Sequence, residues 1–150
     1  MRFSKISIEP TAAIVIAVAW VVTGCSQSKV AQCKQLVNIA RTANETAREA
    51  ATGKPEAMRR AAESFDRAAT DLNKLSLADA QIKDHRSRLA DIYADTSRST
   101  REFLNAIQQK DRNLAEIAVQ SLEQSANNER NLIQDINQTC QVAESAASKP

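Results

Sequence analysis

Glycine and proline are nearly missing from this chain, with 2 and 3 in 150 residues. Gly24 and Pro10 lie near the N-terminus, so past residue 25 only Gly53, Pro55 and the terminal Pro150 remain. A β-rich fold needs turn residues every few positions; their shortage excludes one and predicts long helices in a single all-α domain. Rings are also scarce: Phe3 and Trp20 lie near the N-terminus, and past them there are Phe65, Tyr93 and Phe103. A core of Ala, Leu, Ile and Val with three rings is thin, which suits helices packed closely side by side. Neither sign of charge dominates. With Arg2, Lys5 and Glu9 set aside, 18 Lys and Arg stand against 17 Asp and Glu, which excludes the basic footprint of a nucleic-acid binder. The charges alternate, as in Arg59, Arg60, Glu63, Asp66 and Arg67, the pattern of solvated helix faces.

The N-terminus is built differently. Arg2 and Lys5 give a positive start, opposed by Glu9, and an unbroken apolar run follows from Ala12 to Val22. As a helix that run spans ~17 Å, well short of a ~30 Å hydrocarbon core, so it reads as the apolar region of a signal peptide. The other reading, an uncleaved N-terminal anchor, would want more apolar residues where Thr23, Gly24, Cys25 and Ser26 stand. The stretch Val22-Thr23-Gly24-Cys25 resembles the lipobox of bacterial lipoproteins. The resemblance covers four residues placed directly behind the apolar run. It implies cleavage after Gly24 and a diacylglycerol on Cys25, with residues 1–24 as signal peptide and 25–28 as a short tether. Two acyl chains hold a protein on a bilayer where one does so only marginally. By the same resemblance the protein is exported and anchored on the periplasmic face, and Ser26, in place of aspartate, leans to the outer membrane in a diderm host.

Past the tether, apolar residues recur at spacings of three and four. Val30, Cys33, Val37, Ala40, Asn44, Ala47 and Ala51, widened by Leu36, Ile39, Ala43 and Ala50, predict a first helix over 29–52, stopped by Gly53. Pro55 suits the first turn of a second, over 55–75, with Met58, Ala61, Ala62, Phe65, Ala68, Ala69, Leu72 and Leu75 inside. Ser76 and Asp79 form a capping-box pattern that starts a third helix at 77, running to 109. Between 108 and 113 there is neither Gly nor Pro. Asp111 can cap a fourth helix over 112–147, with 148–150 as a frayed tail, though propensity alone does not exclude an unbroken helix through Lys110.

The cysteines weigh in on that count. With Cys25 lipidated, Cys33 and Cys140 are left, in a compartment where disulfides persist. In an antiparallel up-down-up-down four-helix bundle they fall at the same end; in a three-helix bundle they fall at opposite ends. Four helices and a Cys33–Cys140 bond are therefore expected, two buried thiols being the alternative. In that register helices three and four outrun the first pair by about nine residues, or ~13 Å. Phe103, Leu104, Ile107, Leu114 and Ile117 fall on the overhang, where they either meet a protein partner or a second copy, or pack on one another.

Chemistry is sparse. The sole histidine, His85, lies roughly opposite Asp135 in this register, as a structural pair in preference to a catalytic one. Glu-x-x-His and Cys-x-x-Cys-His are absent, and Met58 lies too far along the bundle to share an iron with His85, so neither metal nor other cofactor is expected. Polar residues Asn44, Thr96, Ser99, Ser125, Asn128 and Glu129 gather near mid-bundle, to fix register or to line a small-ligand site. The expected function is a lipid-anchored, non-catalytic helical module for interaction at the membrane, with a ligand-binding or sensor domain as the alternative.

Overall fold

The computed structural model describes residues 28–148; the expected signal peptide, the lipobox-like stretch, Cys25, Ser26 and the last two residues of the tail lie outside them. Four helices make up the described residues: α1 (Lys29–Ala50), α2 (Pro55–Lys74), α3 (Ala80–Gln109) and α4 (Arg112–Ala147). They pack antiparallel in up-down-up-down order, and at 30 and 36 residues α3 and α4 are longer than α1 and α2 at 22 and 20. No described helix is long and apolar enough to cross a membrane.

Local chemistry sets each boundary. Ser28 caps α1, its hydroxyl accepting from Ala31 N at 3.2 Å. Gly53, at φ 70°, reverses the chain after α1, and Pro55 opens α2. The capping-box pattern put the start of α3 at 77; the helix begins three residues later, at Ala80, with Asp79 itself as the cap. Asp79 accepts from Gln81 N and Ile82 N, each at 3.0 Å. The delay has a cause on α1. The buried Gln32 Oε1 accepts from Ala78 N at 2.8 Å and Asp79 N at 3.0 Å, which holds the segment open and drives Leu77 inward against Cys33 and Ile82.

The turn between α3 and α4 is made without glycine. Lys110 takes the left-handed conformation at φ 57°. Lys110 N then donates to Ile107 O at 3.1 Å and Asp111 N to Ala106 O at 2.9 Å, satisfying the last carbonyls of α3. Asp111 follows at once as the cap of α4, accepting from Leu114 N at 3.0 Å. A side chain in the left-handed region costs about 1–2 kcal/mol, partly offset by what glycine loses in unfolded-state freedom. Lys110→Gly is therefore expected to raise stability by roughly 0.5–1 kcal/mol, read from urea midpoints at unchanged slope.

The core is as thin as the composition predicts. Leu36, Ala40 and Ala43 of α1 meet Phe65, Ala68, Ala69 and Leu72 of α2, Leu89, Ala90 and Tyr93 of α3, and Leu132 and Ile136 of α4. Alanines on α2 let its neighbours approach closely, and the Phe65 and Tyr93 rings, 5.3 Å apart and tilted, fill the middle. At one end Cys33 and Cys140 are bonded, with Cα atoms 5.7 Å apart. Lys29 pairs with Asp79 at 3.2 Å beside them, so the start of α1 is tied to both α4 and the entry to α3.

Candidate functional site

Three places in the bundle carry the chemistry that the sequence offers. The first is the polar layer at mid-bundle. Asn44 Nδ2 donates to Glu129 Oε1 at 2.9 Å, and the buried Tyr93 hydroxyl donates to the same oxygen at 3.0 Å. Burial, then the Glu129 carboxylate, pushes the Tyr93 hydroxyl well above the ordinary tyrosine range. The rest of the expected layer does not converge there. Thr96 turns its hydroxyl back to Ile92 O at 2.8 Å, Ser99 and Ser125 are buried, and Asn128 faces solvent. Tyr93 was hidden from sequence reasoning because it looks like one more core aromatic; its hydroxyl matters only once Glu129 stands opposite. Beside this layer a groove of about 190 Å³ opens between α1 and α4, lined by Leu36, Val37, Ala40, Ile133 and Ile136 and rimmed by Asn44.

The second place is His85, which is only 5% exposed. Its expected neighbour, Asp135, is engaged elsewhere, with Arg88 at 3.8 Å. Thr139, one helical turn further along α4, takes the position instead: His85 Nε2 lies 3.0 Å from Thr139 Oγ1, which also accepts from Gln81 Nε2 at 3.0 Å. Nδ1 is buried with no partner. Burial is the main reason the imidazole is held below the ordinary histidine value. Among the described residues no group of three or more His, Cys, Asp or Glu side chains is placed to hold a metal.

The third place is the tip of the α3–α4 hairpin, at the end opposite the disulfide. Cys33 meets Cys140 and Asn44 meets Glu129, eleven residues along α1 and eleven back along α4, so the two helices keep one register. In that register Ala50, the last residue of α1, falls level with Glu123, and α4 runs on for about eleven residues, or ~16 Å, without it. The overhang is unequal, longer past α1 than past α2, where an equal shortfall of both first helices is expected. Ser97 of α3 donates to Ala62 O at 2.8 Å, which sets Pro55, the first residue of α2, level with about residue 104, some five residues or ~8 Å short of the end of α3, and Arg59 and Glu63 share a cleft with Leu104, Asn105 and Gln108. Phe103 and Leu104 are half-buried as a result. Ile107, Leu114 and Ile117 stay 55%, 48% and 50% exposed, and Val119, which the periodicity did not single out, is 38% exposed. Ala106 and Ala118 are buried between the two helices, which shows that the hairpin packs on itself and still leaves the larger side chains in water.

Compared with known proteins, the chain matches no family model, no curated protein and no solved structure.

Proposed function

We propose that this protein is an exported lipoprotein, held on a membrane through Cys25, whose helical bundle is a non-catalytic module that contacts a protein partner with the α3–α4 tip. The observation that carries the reading is the exposure of Ile107, Leu114 and Ile117 at the end of the bundle farthest from the start of α1. Large aliphatic side chains held about half in water on a short hairpin are the chemistry of an interaction surface. Ser26, Gln27 and Ser28 alone separate Cys25 from α1, so an anchored bundle turns its disulfide end to the lipid and its tip outward. A ligand-binding reading stands second, on the groove beside Asn44. It ranks lower because Glu129 Oε1, the best placed polar group near that groove, already accepts two hydrogen bonds from the protein.

Co-purification from detergent-solubilised membranes tests the proposal. The wild-type chain is expected to fractionate with membranes and bring down a partner. Cys25→Ala should leave the membrane fraction, and Ile107→Ser with Ile117→Ser should stay anchored, lose the partner and keep its helical circular dichroism. A partner retained at full yield by the tip variant overturns the interaction surface; membrane retention of Cys25→Ala overturns the anchor.

A further inference from the structure

We propose that His85 is an acid-sensitive latch between α3 and α4: protonation of its imidazole loosens the two helices at the disulfide end of the bundle. The geometry is that of a histidine with room for one hydrogen bond. Nε2 faces Thr139 Oγ1 at 3.0 Å, and Gln81 already donates to that oxygen. Two tautomers are available, and they are not equal. With the proton on Nδ1, a buried N–H has no acceptor; with it on Nε2, the imidazole donates to Thr139 and the unpartnered Nδ1 is a bare lone pair. An unmet acceptor is better tolerated in an interior than an unmet donor, so neutral His85 carries its proton on Nε2.

Acidification adds the second proton to Nδ1, where no acceptor is in reach. The charged groups around the ring do not rescue the cation. Arg88 on α3 and Lys29 on α1 oppose it, while Asp84 on α3 and Asp135 on α4 favour it, and burial, the largest influence, acts with the two cations to disfavour it. Asp135 is itself shared with Arg88. Relief comes from letting water in, and the route is short: His85 and Thr139 sit at the floor of an open cleft walled by Lys29, Gln81, Asp135, Gln138 and Val142. The next residue after Thr139 is Cys140, bonded to Cys33. When the latch opens, α4 stays on α1 and parts from the first turns of α3. The sign follows from linkage: a histidine depressed in the folded state favours folding above ~6.5, and that contribution is lost as pH falls through 6.5 toward the folded value. The latch does not depend on the anchoring proposal, since it uses contacts within the bundle alone.

His85 is the chain's one histidine, so its ring proton can be followed by NMR without assignment, in the full-length protein in detergent micelles with no histidine tag. The expected midpoint lies below 6.5. Between pH 7.5 and 5, amide exchange over 81–88 and 135–143, corrected for intrinsic rates, should speed by roughly tenfold or more, with the amides of the tip unchanged. His85→Gln should remove the acceleration. A midpoint at or above 6.5, or an equal acceleration in His85→Gln, overturns the latch. Should that variant fail to fold, the titration and exchange of the native protein decide the question by themselves.

Discussion

Reduction of Cys33–Cys140, or Cys140→Ser, is expected to lower stability by about 4–5 kcal/mol and the thermal midpoint by roughly 15–20 °C. The bond joins residues 107 apart, nearly the whole described chain, so in the unfolded state it removes more conformational freedom than any local cross-link would. A domain of this size holds about 5–15 kcal/mol in all, so the loss takes roughly a quarter or more of it. The native contacts make the effect local as well as global. Beyond the bond, α1 meets α4 across an open groove, with Asn44–Glu129 as the hydrogen bond that spans it. By contrast Gln32 and Lys29 hold the start of α1 on the α2–α3 connection, and Leu36, Ala40 and Ala43 pack into the common core. The reduced protein should therefore loosen along the α1–α4 seam first. Thermal melts with and without reductant measure the shift, and hydrogen exchange places it. A shift below about 5 °C would mean that the core alone sets stability, which chain entropy for so long a loop does not allow.

Much of this architecture could be read from the residues. The helices were legible because breakers are rare and the apolar spacing is regular; Gly53 with Pro55 marks the first turn without ambiguity. The turn at Lys110 was not legible from propensity, since a lysine in the left-handed conformation leaves no trace in sequence; the pairing of two distant cysteines carried that inference. What failed did so through side chains that act at a distance along the chain. Gln32 looks like a solvated residue of α1, yet its amide oxygen reshapes the entry to α3, some 46 residues away. His85 meets Thr139 one turn beyond Asp135, because a register drawn from helix ends cannot separate two residues one turn apart on the same face of α4. The overhang is close to the expected length over α1 and shorter over α2, because lengths counted from the cysteines say nothing of how far α2 slides along α3.

Glu129→Ala is expected to cost about 2–3 kcal/mol, and this sign separates the two roles open to the mid-bundle layer. Tyr93 is fully buried, and its hydroxyl has Glu129 as its partner; removing the carboxylate leaves a buried donor without that acceptor. Asn44 is half-buried and can turn to water, so its share of the loss is small. Tyr93→Phe removes the donor and leaves Glu129 bonded to Asn44, so it should cost 1 kcal/mol or less, roughly that of one exchanged hydrogen bond. In the double variant no orphan remains, and about 1–2 kcal/mol of the Glu129→Ala loss should return. Tyr93 is the one tyrosine in the chain, which gives a second readout. Its ionisation is suppressed in the folded state, so stability declines as pH rises past the ordinary value near 10, and phenolate absorbance should appear together with loss of helix. A residue kept for a ligand behaves in the opposite way: functional sites hold strain, and deleting such a carboxylate leaves stability unchanged or improved. Urea melts of the two single variants and the double variant decide between them, and a stabilised Glu129→Ala would move the polar layer from fixing the register of the helices to binding a small molecule.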